Sequence, residues 1–312
     1  MSKPELSVRR QAHLATFCLC LLGLAGCDNE SPAPDPHAQV DFVAEGVAYR
    51  TEGDLDTAIR KFTEAIRRKQ NLAEAHLNRG QVLRDKGDFK AAIADFARVT
   101  RLDPNHSNAH LELGNAYART GQLQNALKAL SAAVKIKPDL VDAYMTRAHV
   151  WSSLKDLEKA IADLDVAIQL NPYGGSLYVN RGIFYSELGQ RDRAVENWKA
   201  AIEISPQFPG GYFSLAVDHG SRGEFEETIP LLSKVLELHP GHYQALQNRG
   251  LAHAALGQHS EAIEDFGRVL EKYPDLAHVY LKRSLSHRAL GDLIRADEDH
   301  GKAVTLDPSL QE

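Results

Sequence analysis

Cysteine is scarce in this chain of 312 residues: there are three, Cys18, Cys20 and Cys27, all within its first tenth. That distribution builds neither a disulfide framework nor a zinc ribbon. Basic charge is not in excess either, since 36 Lys+Arg face 42 Asp+Glu for a formal net charge of −6. A nucleic acid would find no charge to neutralise its phosphates, so it is excluded as a partner. The uncharged stretch Leu14 to Ala25 is twelve residues long, short of the ~20 that span a bilayer. The signatures of common catalytic sites are missing too: no nucleophile elbow, HExxH, P-loop or dinucleotide fingerprint appears. No catalytic residue, metal ligand or cofactor is therefore expected, and the chain reads as a non-enzyme. What is present is ordinary for a folded protein, with 43% hydrophobic and 25% charged residues, values that exclude wholesale disorder and a polytopic membrane protein.

The front of the chain reads as an address. Lys3, Arg9 and Arg10 precede the short apolar stretch, and small residues close it at Gly26-Cys27, the layout of a secretory signal peptide. Leu24-Ala25-Gly26-Cys27 resembles the lipobox of bacterial lipoproteins. That resemblance implies cleavage before Cys27, with residues 1–26 lost, and lipidation of Cys27 as the membrane anchor. The alternatives are an ordinary signal peptide or an uncleaved anchor; Arg9-Arg10 reads as the plain basic region, not a twin-arginine signal. Residues 27–38, with Pro32, Pro34 and Pro36, read as an extended tether of up to ~35 Å. Several acyl chains on one residue hold a protein stably on a membrane, so the chain is expected to be anchored to a membrane without crossing it.

Length alone suggests about two domains, but internal periodicity overrides that estimate. Pro104, Pro138, Pro172, Pro206, Pro240, Pro274 and Pro308 follow one another at intervals of 34 residues. Taking Gln39 as position 1 gives eight consecutive units, 39–72, 73–106, 107–140, 141–174, 175–208, 209–242, 243–276 and 277–310, without an insertion. Position 8 is always small: Gly46, Gly80, Gly114, Ala148, Gly182, Ala216, Gly250 and Ser284. Position 20 is Ala except at Thr228, and position 15 is Gly except at Lys155. Apolar residues recur at helical spacing in each half of a unit. The small positions let two helices approach, Gly supplies a left-handed turn between them, and Pro stops the second helix. One hairpin cannot bury its own apolar face, so successive units are expected to stack around a continuous core.

This pattern resembles the tetratricopeptide repeat (TPR). The resemblance covers residues 39–310 and implies an all-α fold, a right-handed α-solenoid with a concave groove lined by the first helix of each unit. Both ends are expected to act as caps. Position 3, apolar or Gly later, is Asp41 in unit 1, and positions 21 and 24 become Asp297 and His300 in unit 8. With the chain ending at Glu312, the eighth unit is expected to cap itself.

Two sets of polar residues repeat with the register. Positions 7 and 23 pair Arg79 with Asp95, Arg147 with Asp163, Arg249 with Asp265 and Arg283 with Asp299. Unit 5 has Arg181 and Asn197, unit 1 reverses the signs as Glu45 and Lys61, and units 3 and 6 are apolar at both positions. Complementarity throughout predicts contact inside each hairpin, because a ligand site would not tolerate reversal. His219, His253 and His287 occupy position 11 of units 6 to 8; they lie too far apart to share a metal and are expected to pack inside their hairpins. His239 and His242 are expected to be solvated loop residues.

The resemblance places the ligand face at positions 2, 5, 6, 9, 12 and 13 of the first helices. Asn78, Asn180 and Asn248 at position 6 resemble part of the asparagine ladder in the TPR arm of O-GlcNAc transferases, and an amide both donates to and accepts from a peptide backbone. The carboxylate clamp of chaperone-binding TPRs is absent, because position 5 lacks its basic residue. Units 5 to 8 are the more apolar half, with Val179, Ile183, Phe213, Val217, Leu251, Leu281 and Leu285 at positions 5 and 9; units 2 to 4 offer Gln81, Asn115 and His149 at position 9. The groove of units 5 to 8 is therefore the expected site for partner peptides or helices. The expected function is that of a lipid-anchored scaffold at the extracytoplasmic face of a bacterial envelope, inner or outer membrane being open. Its expected partners are proteins of envelope assembly or cell-wall machinery, and its oligomeric state is open. The alternative is a substrate-presenting subunit of a separately encoded cell-wall or glycan enzyme.

Overall fold

The computed structural model describes residues 41–69 and 71–311. Cys27, residues 1–26 and the tether lie outside the described residues. The described chain is all-α: helical hairpins stacked in series as a solenoid. Unit 1 pairs α1 (Phe42–Glu52) with α2 (Leu55–Arg67), and unit 2 pairs α3 (Leu72–Asp85) with α4 (Phe89–Leu102). Units 3 and 4 follow as α5 (Ser107–Arg119) with α6 (Leu123–Ile136), and α7 (Val141–Ser153) with α8 (Leu157–Leu170). Units 5 and 6 are α9 (Gly175–Glu187) with α10 (Arg191–Ile204), and α11 (Pro209–Ser221) with α12 (Phe225–Leu238). Units 7 and 8 are α13 (Tyr243–Ala255) with α14 (His259–Lys272), and α15 (Ala277–Ala289) with α16 (Leu293–Leu306). A short 3₁₀ turn, Pro308–Leu310, follows. Each helix packs on its hairpin partner and on the helix that follows.

The punctuation works as the repeat predicts. The seven glycines at position 15, Gly53 to Gly291, have φ between +73° and +85°, and Lys155, the residue without that freedom, is held at +65°. One residue later, Asp54, Asp88, Asp156 and Asp292 accept a backbone N–H and cap the second helix. Residues preceding the periodic prolines are extended, from Asp103 at φ −133° to Asp307 at −140°. Unit 1 has no proline at that point, and the chain turns there through positive φ at Lys69 and Asn71.

The core lies between the layers. Ala58, Phe62, Ala65, Ala92, Phe96 and Val99 are completely buried, and the pattern continues to Ala262, Phe266 and Val269. Close approach at position 8 is tight: a Cβ on Gly46 would lie 2.6 Å from Phe62, and one on Gly182 2.5 Å from the indole Nε1 of Trp198. The ends differ from each other. Asp41 caps α1, accepting from Val43 and Ala44 N–H at 3.0 and 3.1 Å. At the other end Asp297 is exposed and pairs with Arg288, yet Leu293 and Ile294 are 57% and 76% exposed. Polar substitution of the last unit is thus incomplete, because Ile294 takes a position that is polar in every earlier unit.

Candidate functional site

All six polar pairs at positions 7 and 23 close within their hairpins. Arg79 grips Asp95 through Nε and Nη2, both at 2.8 Å, and the same fork recurs at Arg147–Asp163, Arg249–Asp265 and Arg283–Asp299. Unit 1 holds the reversed pair, Lys61 Nζ to Glu45 Oε2 at 2.6 Å. Units 3 and 6 replace the pair by buried Leu113 and Ala129, and by Leu215 against Leu231. Hydrogen bonding to the carboxylate raises the pKa of Arg147, Arg249 and Arg283 still further.

A second bond is not evident from the 7/23 pairing alone. Nη1 of Arg79, Arg147 and Arg249 reaches back to the hydroxyl of Thr63, Ser131 and Ser233, at 3.0, 3.2 and 3.0 Å. Each acceptor is at position 25 of the preceding unit, so the arginine ties two hairpins together. A signal for it exists: position 25 is Ala97 before the apolar unit 3 and Lys199 before the apolar unit 6.

The position-11 histidines stay inside their hairpins. Nδ1 of His219 lies 2.6 Å from Glu224, and Nδ1 of His253 lies 2.6 Å from Gln258; both partners sit at position 16. His287 is buried, 3.8 Å from Asp292 and 3.9 Å from Asp299. Among the described residues no three His, Cys, Asp or Glu are grouped to hold a metal. His242 is not the solvated loop residue expected from its turn. Its Nδ1 accepts from Ala245 N–H and its ring packs 4.8 Å from Phe213; burial, followed by the neighbouring His239, lowers its pKa.

The first-helix face divides into two chemistries. Across units 1 to 3 it is laced by charge: Arg50 donates to Gln81 at 2.6 Å, and Arg84 holds Glu112 at 2.6 and 2.7 Å. Asn78 is used locally, its amide donating to Glu74 O of its own helix. Units 5 to 8 are different. Ile183, Val217 and Leu285, all at position 9, are 37%, 44% and 52% exposed. Position 5 is drawn inward: Val179 is buried at 7% exposure, and its carbonyl accepts from Trp198 Nε1 at 3.3 Å. Val179 therefore belongs to the core and not to an open groove, packed in one cluster with Ala194, Trp198 and Leu215, and Val43 at the same position of unit 1 is buried likewise. Phe213, Leu251 and Leu281 are half-buried, the first two against the core of units 6 to 8.

Two cavities adjoin here. One of about 380 Å³ is bordered by Ile183, Phe213 and Val217, and one of about 290 Å³ by Val217, Gly220, Asn248 and Leu251. They share Val217 and Ser221. Asn180 and Asn248 are half-buried and have no intramolecular side-chain hydrogen bond among the described residues, which leaves both amides open to a ligand.

Models of the tetratricopeptide repeat match residues 43–107, 77–141, 111–175, 175–208 and 243–276. The chain belongs to the tetratricopeptide-repeat family, whose members serve as scaffolds for contacts between proteins and are typically not enzymes. Among solved structures it is similar to MamA, with 30% identity over 52% of this chain and 94% of that one, at a TM-score of 0.50. A tetratricopeptide repeat protein from Parabacteroides merdae is 21% identical over 77% of this chain and 96% of its own, at 0.56. YrrB, described as a TPR protein with an unusual peptide-binding site, is 21% identical over 58% and 94%, at 0.50; at that identity these last two show the fold alone. No match is found among curated proteins.

Proposed function

We propose that this protein is a membrane-tethered scaffold of a bacterial envelope that receives a peptide or helix of a partner protein in the groove of units 5 to 8. The observation that carries the reading is the adjoining pair of cavities, open on exposed Ile183 and Val217 and floored by half-buried Phe213 and Leu251. Exposed anchors with room beside them are what a side chain of a partner needs to become buried. Gly220 keeps that room, since a Cβ there would meet nothing nearer than Thr228 at 3.5 Å. Asn248 borders the second cavity, Asn180 lies one turn before Ile183 on α9, and both supply amides to a backbone. Tethering rests on the sequence Leu24-Ala25-Gly26-Cys27, with Cys27 lipidated and the repeats on the extracytoplasmic side. Envelope assembly proteins or cell-wall machinery are the partners this placement offers.

Purification from native membranes tests the reading. Val217→Arg and Gly220→Arg should each strip the associated proteins from the chain, whereas Lys128→Glu on an exposed second-helix face should not. An unchanged set of associated proteins in both groove variants would contradict it. A hydrolase or transferase as the protein lost would favour the substrate-presenting subunit.

A further inference from the structure

Next to the apolar stretch lies a cavity of a different kind. It has a volume of about 500 Å³ and is bordered by Asn115 and Arg119 of α5 and by Thr146 and His149 of α7. Arg119 is exposed, and among the described residues it has no carboxylate partner. Its guanidinium is steadied only by the ring of Phe89, 5.6 Å away. On the same face Arg50 and Arg84 are both satisfied, by Gln81 and Asp85 and by Glu112. Glu112, the acid one turn before Asn115, is held by Arg84 and does not compensate Arg119. The side chains of Asn115 and Thr146 likewise make no intramolecular hydrogen bond among the described residues.

We propose that this cavity is an anion subsite that receives a carboxylate of the partner peptide, with Arg119 as its cation and Asn115 and Thr146 as neutral donors. An unpaired guanidinium beside an amide and a hydroxyl matches the fork and lone-pair geometry of a carboxylate. Desolvation lowers the His149 pKa although part of the residue stays exposed, and Arg119 is the cation of the cavity. His149 also connects the two regions, because its ring stands edge-on to Phe184 of α9 at 5.8 Å. Along position 9 the face then runs Asn115, His149, Ile183, Val217. The inference rests on the groove reading and gives its occupant a direction: an acidic group over units 3 and 4, apolar side chains over units 5 to 7. A side-chain carboxylate and a chain-terminal one share this chemistry.

The test is a random dodecapeptide library selected on the purified full chain. Wild-type protein should enrich Asp or Glu at a fixed spacing from apolar residues, or acidic C-termini. Arg119→Gln, an exposed substitution checked for unchanged helical content, should lose the acidic preference and keep the apolar one. A selected peptide should bind Arg119→Gln about ten-fold more weakly or worse, with partial recovery in Arg119→Lys. Its Glu→Gln and C-terminally amidated forms tell the two carboxylate sources apart. Equal acidic enrichment on wild type and Arg119→Gln would overturn the subsite while leaving the groove reading intact, provided Val217→Arg abolishes selection. Selection that survives Val217→Arg, or no selected peptide at all, would overturn both.

Discussion

Arg181 donates to Asp165 across the boundary between two hairpins, Nη1 to Oδ1 at 2.6 Å, while its Nε donates to Asn197 within its own. In the other arginine units the carboxylate is inside the hairpin, and the neighbouring unit supplies at most a hydroxyl. The arginine keeps one carboxylate in every case, and only its address changes. Asp165→Asn should therefore lower stability by about 1 kcal/mol, the partial exposure of Asp165 limiting the loss. Asn197→Asp in that background should restore it. A denaturation midpoint that ignores both changes would contradict the relocation.

Asp95 is the opposite case, nearly buried and accepting from both arms of Arg79, with His76 Nδ1 at 2.7 Å. Asp95→Ala strands a guanidinium and should cost about 3 kcal/mol or more. Adding Arg79→Leu should recover much of it, since unit 3 carries Leu113 with Ala129 natively. Strictly additive losses in the double-mutant cycle would refute the coupling.

Lys155 occupies the left-handed position that glycine fills in the other seven units. Lys155→Gly should raise stability by roughly 1 kcal/mol, the local strain relieved exceeding the added chain entropy. Gly189→Ala, at φ +73°, should lower it by a similar amount. Thermal midpoints moving in the same direction would contradict this account of the turn.

Gly182→Ala should cost about 1–3 kcal/mol by overpacking against Trp198. Trp198→Leu should recover part of that in the double variant, because Ala148 faces Leu164 in unit 4 and Ala216 faces Leu232 in unit 6. Urea midpoints of the single and double variants decide it.

Acid should weaken the fold through two histidines. Desolvation lowers the pKa of His149, part of which stays exposed, and, with His239 adding to it, of half-buried His242. A lowered folded value means that the unfolded chain binds the proton more readily, so their contribution is complete above the ordinary value of ~6.5 and is lost as pH falls through it. The thermal midpoint should decline between pH 7 and 5, less steeply in a His149→Gln, His242→Gln variant. An unchanged slope would contradict it.

Much of the fold was legible because the repeat writes it eight times. Period, turn glycines and the in-hairpin pairs all rest on local chemistry at fixed spacing. The relation of position 8 to position 24 was also there, as Gly46/Phe62 against Ala148/Leu164, but it shows only when the two sizes are read together. The open surface was harder to see. A position-5 aliphatic such as Val179 is indistinguishable in sequence from an exposed anchor until its packing with Trp198 and Leu215 is seen. The polar cavity at Arg119 also depends on which neighbours are already paired, and pairing between helices from different units has no local signature.

Site-specific photocrosslinking of the full chain in native membranes tests the central claim most directly. A photoreactive residue replacing Val217 should crosslink to a defined partner protein, identifiable by mass spectrometry, and one replacing exposed Lys128 should not. Crosslinks from position 128 with none from position 217 would contradict the groove of units 5 to 8 as the docking site.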